Sequence, residues 1–224
     1  MEKIKRVVAI HTSLVSIDDI KRFFEEIIPE AKLYNIIDES LLDEVKTVGH
    51  VTPGIIRRMC LYFSQAEQLK ADLIFSQCSS VGEAADIAAK TVSVPVLKMD
   101  EAMAEEAARL GGTIAVVATV ASTMGPSCRL VESKVNEIGK KAQICQYLVD
   151  GAMDALMTEG REKHNAMVLE TVEKAAGSSD VVVLAQGSMI VLLPLLTHIQ
   201  KPVLTSIRLG VEMARKKLGL DTRG

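Results

Sequence analysis

The sequence predicts an α/β protein of two similar halves, each a parallel sheet covered by helices, with the strand ends of both halves opening on one cleft. Two observations carry this reading. Short apolar blocks alternate with longer periodic segments along the chain, and three of those blocks recur at nearly one spacing, in the same order. Short apolar runs bounded by polar turns read as buried strands, and periodic segments between them as crossover helices. That alternation is the mark of a parallel sheet with helices on its faces.

The first strand spans residues 4–10 and ends at His11. The residues before it, Met1 to Arg6, show neither an apolar core segment nor a small-residue cleavage site, so they do not read as a secretory leader. A helix over 17–28 and a strand over 31–37 follow. Residues 47–54 are punctuated by Gly49, Pro53 and Gly54 and read as a loop carrying His50. The third strand covers 72–77. Ser80 and Glu83 then have the spacing of a capping box that opens a helix over 81–90. A fourth strand covers 94–97.

The second half repeats this plan. The block beginning at Asp72 resembles the one beginning at Asp180, 108 residues on. Pro95-Val96-Leu97 resembles Pro202-Val203-Leu204 at 107, and the strand ending at His11 resembles the one ending at Thr119 at 108. A duplicated unit explains a shared offset better than generic strand composition does. Gly125-Pro126 reads as a helix start, with proline at the first helical position. The final helix is expected to return to the first half, giving domains of 1–97 with 206–224, and 98–205. Residues 181–199 lack Asp, Glu, Lys and Arg and approach the length of a membrane span. Gln186-Gly187-Ser188 and Pro194 interrupt them, so strand, turn and buried helix is the reading, with no membrane partner.

Composition narrows the function. The chain is 48% hydrophobic and 25% charged with a formal net charge of -3, an ordinary globular balance. It has no basic stripe, and 3% aromatic residues without Trp leave no base-stacking platform, so nucleic acid is not an expected partner. Cys60, Cys78, Cys128 and Cys145 form no C-x-x-C pair, which fits free thiols in a reducing cytoplasm. No ligand spacing points to a metal, and no G-x-G-x-x-G or Walker A sequence points to a nucleotide. A chemistry without a cofactor is expected.

In open α/β sheets ligands bind at the carboxyl ends of strands. Reading past each strand gives His11-Thr12-Ser13, Cys78-Ser79-Ser80, Thr119 with Ser122 and Thr123, and Gln186-Gly187-Ser188. Capping is the everyday role of Ser and Thr in such places. Cys78 differs, because a packing thiol suits a strand interior better than its end, and a helix N-terminus favours an anion. Cys60, Cys128 and Cys145 fall within helical or strand patterns and read as core thiols. His50 is either a loop contact or a turn residue; His164 and His198 belong to helices and carry no assignment.

With these residues the chain resembles the aspartate/glutamate/hydantoin racemase superfamily, which includes maleate isomerase and arylmalonate decarboxylase. The likeness runs through the Asp72-to-Cys78 block, the Ala118-Thr119 strand end, the Asp180 block and the two Pro-Val-Leu strands. It implies two Rossmann-like domains related by a pseudo-twofold with the active site in the cleft between them, no pyridoxal phosphate, and a dimer. It also implies a small carboxylate substrate, an amino acid or hydantoin-like compound, flanked by two cysteines that exchange its α-proton. Cys78 matches the first, six residues after Asp72. Six residues after Asp180 stands Gln186, so the second cysteine is absent unless the turn slips and Ser188 takes the place.

The resemblance thus implies a cofactor-independent racemase or isomerase acting through Cys78, with Gln186 or Ser188 opposite. His11, Thr12, Ser13, Ser79, Ser80, Thr119, Ser122 and Thr123 would bind the substrate. A one-cysteine decarboxylase, lyase or cis–trans isomerase of a dicarboxylate is the alternative. A catalytically silent carboxylate-binding protein is the second alternative.

Overall fold

A computed structural model describes residues 4–220, with Met153 described in backbone only. The chain divides into two units, one that runs to Met99 and resumes at Ile207, the other Asp100–Ser206. Each is built on a four-stranded, wholly parallel sheet.

The first unit runs β1 (Lys5–His11), α1 (Ile17–Ile27), β2 (Ala31–Ile37), α2 (Ser40–Val48), α3 (Pro53–Gln68) and β3 (Leu73–Ser76). A 3₁₀ turn, Ser79–Val81, then leads into α4 (Gly82–Ala88), and β4 (Val96–Lys98) completes a sheet of order β2-β1-β3-β4. Val8, Ile10 and Ile74 point to one face, where Leu41, Val45, Ile55, Met59, Phe63, Ala84 and Ala85 cover them. On the other face Phe75 meets Phe24 of α1 edge to face, ring centroids 5.5 Å apart. α1 buries Ile17, Ile20, Phe23 and Phe24 along one stripe and carries Asp18 and Asp19 in its first turn, where negative charge suits the helix dipole. α3 starts cleanly: the Thr52 hydroxyl accepts from Ile55 N–H at 3.2 Å, and Pro53 takes a first-turn position whose N–H would lack a partner.

The second unit comprises α5 (Glu101–Leu110), β5 (Thr113–Ala118), α6 (Ala121–Glu137), β6 (Gln143–Leu148), α7 (Ala152–Thr158), α8 (Arg161–Gly177), β7 (Val181–Leu184), a 3₁₀ helix over Gly187–Leu195, and β8 (Val203–Thr205). Its sheet order, β6-β5-β7-β8, repeats that of the first. Ala115, Val117, Val182 and Leu184 are buried with Val168 and Val172 of α8. The last helix, α9 (Ser206–Lys217), belongs from Ile207 onward to the first unit. Arg208 reaches Glu26 at 2.9 Å, and Arg215 reaches Glu30 at 3.0 Å and the Ile27 carbonyl at 2.6 Å.

The repeated aspartate has a structural task. Asp72 Oδ2 accepts the Arg6 N–H at 2.8 Å while the Asp72 N–H donates to the Arg6 carbonyl at 2.7 Å. Asp180 does the same for β5: Oδ2 accepts from Gly112 and Thr113 at 3.1 and 2.8 Å, and its N–H donates to the Thr113 carbonyl at 2.8 Å. Each carboxylate pins the start of one strand to its neighbour.

Several sequence expectations need correction. The aspartate pins and the pairings Val7 with Leu73 and Ile114 with Val181 set the first strands at an offset of 107, not 108. Thr119 is therefore the counterpart of Thr12, and His11 that of Ala118. α4 begins at Gly82 with Val81 at its N-cap, because the 3₁₀ turn has already used Ser79 and Ser80, so Ser80 is not the N-cap of the expected capping box. α6 starts at Ala121, directly after β5, and Pro126 lies inside it. Residues 187–195 form a 3₁₀ rather than an α-helix, with Val191 and Leu195 exposed. Among the described residues no helix is long and apolar enough to cross a membrane.

Candidate functional site

In the first unit the chain leaves the two central strands side by side. The Gln77 N–H donates to the Ile10 carbonyl at 3.0 Å, carrying the β1–β3 ladder one step past Ser76. Cys78 follows in extended backbone (φ -111°, ψ 120°), and its carbonyl accepts the Val81 N–H at 3.3 Å as the chain enters the 3₁₀ turn. Its side chain is half-buried against the cluster that contains Val81, Leu41 and Val45. Around it in sequence, Ser79 is half-buried and Ser80 buried; after β1, Thr12 is buried and Ser13 half-buried.

His11 is fully enclosed. Its Nε2–H donates to Asn35 Oδ1 on β2 at 2.8 Å, while Nδ1 is buried without a partner. Burial away from water holds the imidazole below its ordinary pKa, the Asn35 bond opposes this, and the Lys21 charge adds to it. Gln77 Oε1, just past the end of the neighbouring strand β3, is a second enclosed acceptor without a partner. The sign of the pH effect follows. An unfolded histidine takes up a proton near 6.5, which folded His11 resists, so stability falls as pH drops through that value. Urea unfolding at about pH 7.5 and pH 5.5 should show lower stability at the acid end, and His11→Gln should flatten the difference.

The second unit repeats the backbone with different chemistry. The Ala185 N–H donates to the Val117 carbonyl at 2.9 Å, as Gln77 does to Ile10. Gln186 is extended (φ -115°, ψ 135°), and its carbonyl accepts the Met189 N–H at 3.0 Å. Gln186 is thus the counterpart of Cys78, and the exposed Ser188 that of Ser80. The Gln186 amide is engaged at both ends: Oε1 accepts the Thr119 N–H and Nε2 donates to Thr119 Oγ1, each at 3.1 Å. Gln186→Leu removes both bonds to Thr119 and should destabilise the protein by about 1–2 kcal/mol. Gln186→Glu, whose carboxylate still accepts from both, should lose less; thermal unfolding of the two variants reads the difference. Nearby on α6, Thr123 is buried and the Ser122 hydroxyl oxygen is enclosed without a partner.

The remaining candidates stand apart from these strand ends. His50 is exposed at the corner between α2 and α3. Cys60 on α3 and Cys145 on β6 are half-buried; Cys128 on α6 is buried, and burial pushes its thiol pKa up. His164 bonds Asn165 at 3.0 Å, and His198 reaches Glu173 at 3.0 Å on the surface. No group of three or more His, Cys, Asp or Glu among the described residues is arranged to hold a metal ion. Asn35 and Gln77, which sequence reading passed over, are the additional polar groups at the strand ends. A lone amide in the apolar run of β2 was the available signal for Asn35.

The family model for Asp/Glu/Hydantoin racemase matches residues 47–214. Comparison with curated protein sequences gives no match. Among solved structures, the chain is similar to the aspartate racemase of Picrophilus torridus, at 12% identity and a TM-score of 0.71, covering 96% of this chain and 94% of that one. It is similar to the allantoin racemase of Klebsiella pneumoniae at 16% identity and a TM-score of 0.65, covering 98% and 90%. A third likeness is to unliganded arylmalonate decarboxylase, at 12% identity and a TM-score of 0.61, covering 96% and 93%. At these identities the structural likeness is one of fold.

Proposed function

Because the chain belongs to the Asp/Glu/hydantoin racemase family, we propose that it is a cofactor-independent isomerase of small carboxylate-bearing compounds, an amino acid or a hydantoin-like molecule, that works with a single thiol, Cys78. The observation that carries this reading is the asymmetry between two matching turns. One presents a thiol, and the other an amide bonded at both ends to Thr119. A thiol exchanges protons near neutral pH and a carboxamide does not. In this reading the Cys78 thiolate takes the proton from the carbon next to the carboxylate, and the electron pair of that C–H bond moves into the carboxylate as an enediolate. The resulting thiol then returns a proton to carbon. Backbone and hydroxyl groups of Thr12, Ser13, Ser79 and Ser80 bind the carboxylate.

A second reading is favoured by the same asymmetry: decarboxylation of a dicarboxylate, in which CO₂ departs with its bond pair left on carbon and one thiol supplies the proton. The test is a panel of amino acids, hydantoins and substituted malonates in D₂O, followed by NMR at the α-carbon and by CO₂ release. Deuterium entering an amino acid or hydantoin, and lost in Cys78→Ser, supports the isomerase. CO₂ from a malonate, also lost in Cys78→Ser, moves the assignment to the decarboxylase. Exchange that persists in Cys78→Ser overturns both, and a panel with no turnover that nonetheless protects Cys78 from iodoacetamide identifies a binding protein.

A further inference from the structure

We infer that Arg58, on α3, is a positioning residue that holds α2 against the turn bearing Cys78; this rests on the reading of Cys78 as the working thiol. Asp38 directly follows β2, and its N–H donates to the His11 carbonyl at 3.0 Å. Its Oδ1 accepts from the Ser40 N–H and hydroxyl at 3.0 and 2.5 Å, and its Oδ2 from the Tyr62 hydroxyl at 2.7 Å. Arg58 enters this knot with two prongs. Nη1 donates to Ser40 Oγ at 2.5 Å and lies 3.3 Å from Asp38 Oδ2, while Nη2 bonds Glu44, halfway along α2. Glu44 also accepts from the Thr52 hydroxyl that caps α3. One guanidinium, about a quarter exposed, therefore serves two carboxylates, Asp38 in the turn ahead of α2 and Glu44 within it.

The buried residues of α2 connect the knot to the thiol. Leu41 and Val45 are enclosed in the same apolar cluster as Val81, with Cys78 packed against it. α2 is nine residues long, too short to hold its place by helix formation alone. It is fixed by the apolar contacts of Leu41 and Val45 and by the bonds of Arg58 to Ser40 and Glu44. Without Arg58, Asp38 ahead of α2 and Glu44 within it lose the cation they share, and the wall beside Cys78 loosens.

Peptide-resolved alkylation by iodoacetamide tests this, with Cys145 and Cys128 of the second unit as internal references. Arg58→Met should accelerate modification of Cys78 by about tenfold while the two reference thiols keep their rates, a local opening rather than a global one. Glu44→Gln, which removes the charge under one prong but keeps an acceptor there and is the milder change, should move Cys78 in the same direction by less. An unchanged Cys78 rate in both variants overturns the inference, as does equal acceleration at all the thiols. Ligand protection of Cys78 in the parent protein is read separately in the same assay. Loss of that protection defeats the functional reading, whereas the rate ratio between variants reports on Arg58.

Discussion

Gly210→Ala should lower stability by about 2 kcal/mol, moving the thermal midpoint of a chain this size down by roughly 4–8 °C. A Cβ built on Gly210 lies 2.5 Å from the Met99 carbonyl oxygen and 3.2 Å from the Met99 carbonyl carbon. The obstacle is backbone immediately after β4, which cannot rotate aside as a side chain would. Alanine is otherwise the better helix former by about 1 kcal/mol, so the clash has to outweigh a real gain. Gly177→Ala near the end of α8 isolates that gain, since nothing lies within 4 Å of its Cβ position. The two glycines should therefore respond with opposite signs in the same thermal unfolding measurement. A Gly210→Ala protein as stable as the parent would mean that α9 does not approach Met99 as closely as described.

The larger loss is expected from Phe75→Ala, about 3–5 kcal/mol by urea unfolding. Phe75 is fully buried in β3, paired with Ala9 on one side and Leu97 on the other, and its ring meets Phe24 edge to face. Truncation removes the transfer free energy of the ring and the aromatic contact together, and the strands on both sides prevent the space from closing. Phe75→Leu keeps most of the volume and should lose no more than about 1.5 kcal/mol. The unfolding midpoint should fall with an unchanged slope against urea, since the surface exposed on unfolding barely alters. A loss below about 1 kcal/mol for the alanine variant would contradict the packing.

How much of this was legible beforehand depended on whether a signal was local. The run 31–37 is apolar and bounded by polar turns, and β2 occupies those residues. The parallel sheets followed from alternation alone. Exact register did not, because it rests on bonds between residues far apart in sequence: Asp72 with Arg6, and Asp180 with Thr113. Composition cannot show that a charged residue at a strand start is a pin, and the one-residue error that paired His11 with Thr119 came from there.

Two helix starts, those of α4 and α6, failed for a related reason, whereas α1 begins at Ile17 as expected. Pro126 suggested a first position, yet a helix can carry proline one turn further in when only one bond, to the Ser122 carbonyl, is given up. The Ser80–Glu83 spacing was read as a cap without knowledge that a 3₁₀ turn would come first. At the candidate site, Cys78 stood out by chemistry. The restraint on Gln186 did not, since it depends on Thr119, 67 residues away.

The two aspartate pins also bear on how such a protein can change. Both sheets take their alignment from the amino edge, where Asp72 and Asp180 fasten the central strands, while the residues proposed for chemistry stand at the opposite edge. A thiol at Cys78 and an amide at Gln186 stand in matching turns over the same strand pairing. The carboxyl edge is therefore a region where new reactivity can be tried without renegotiating the architecture beneath it.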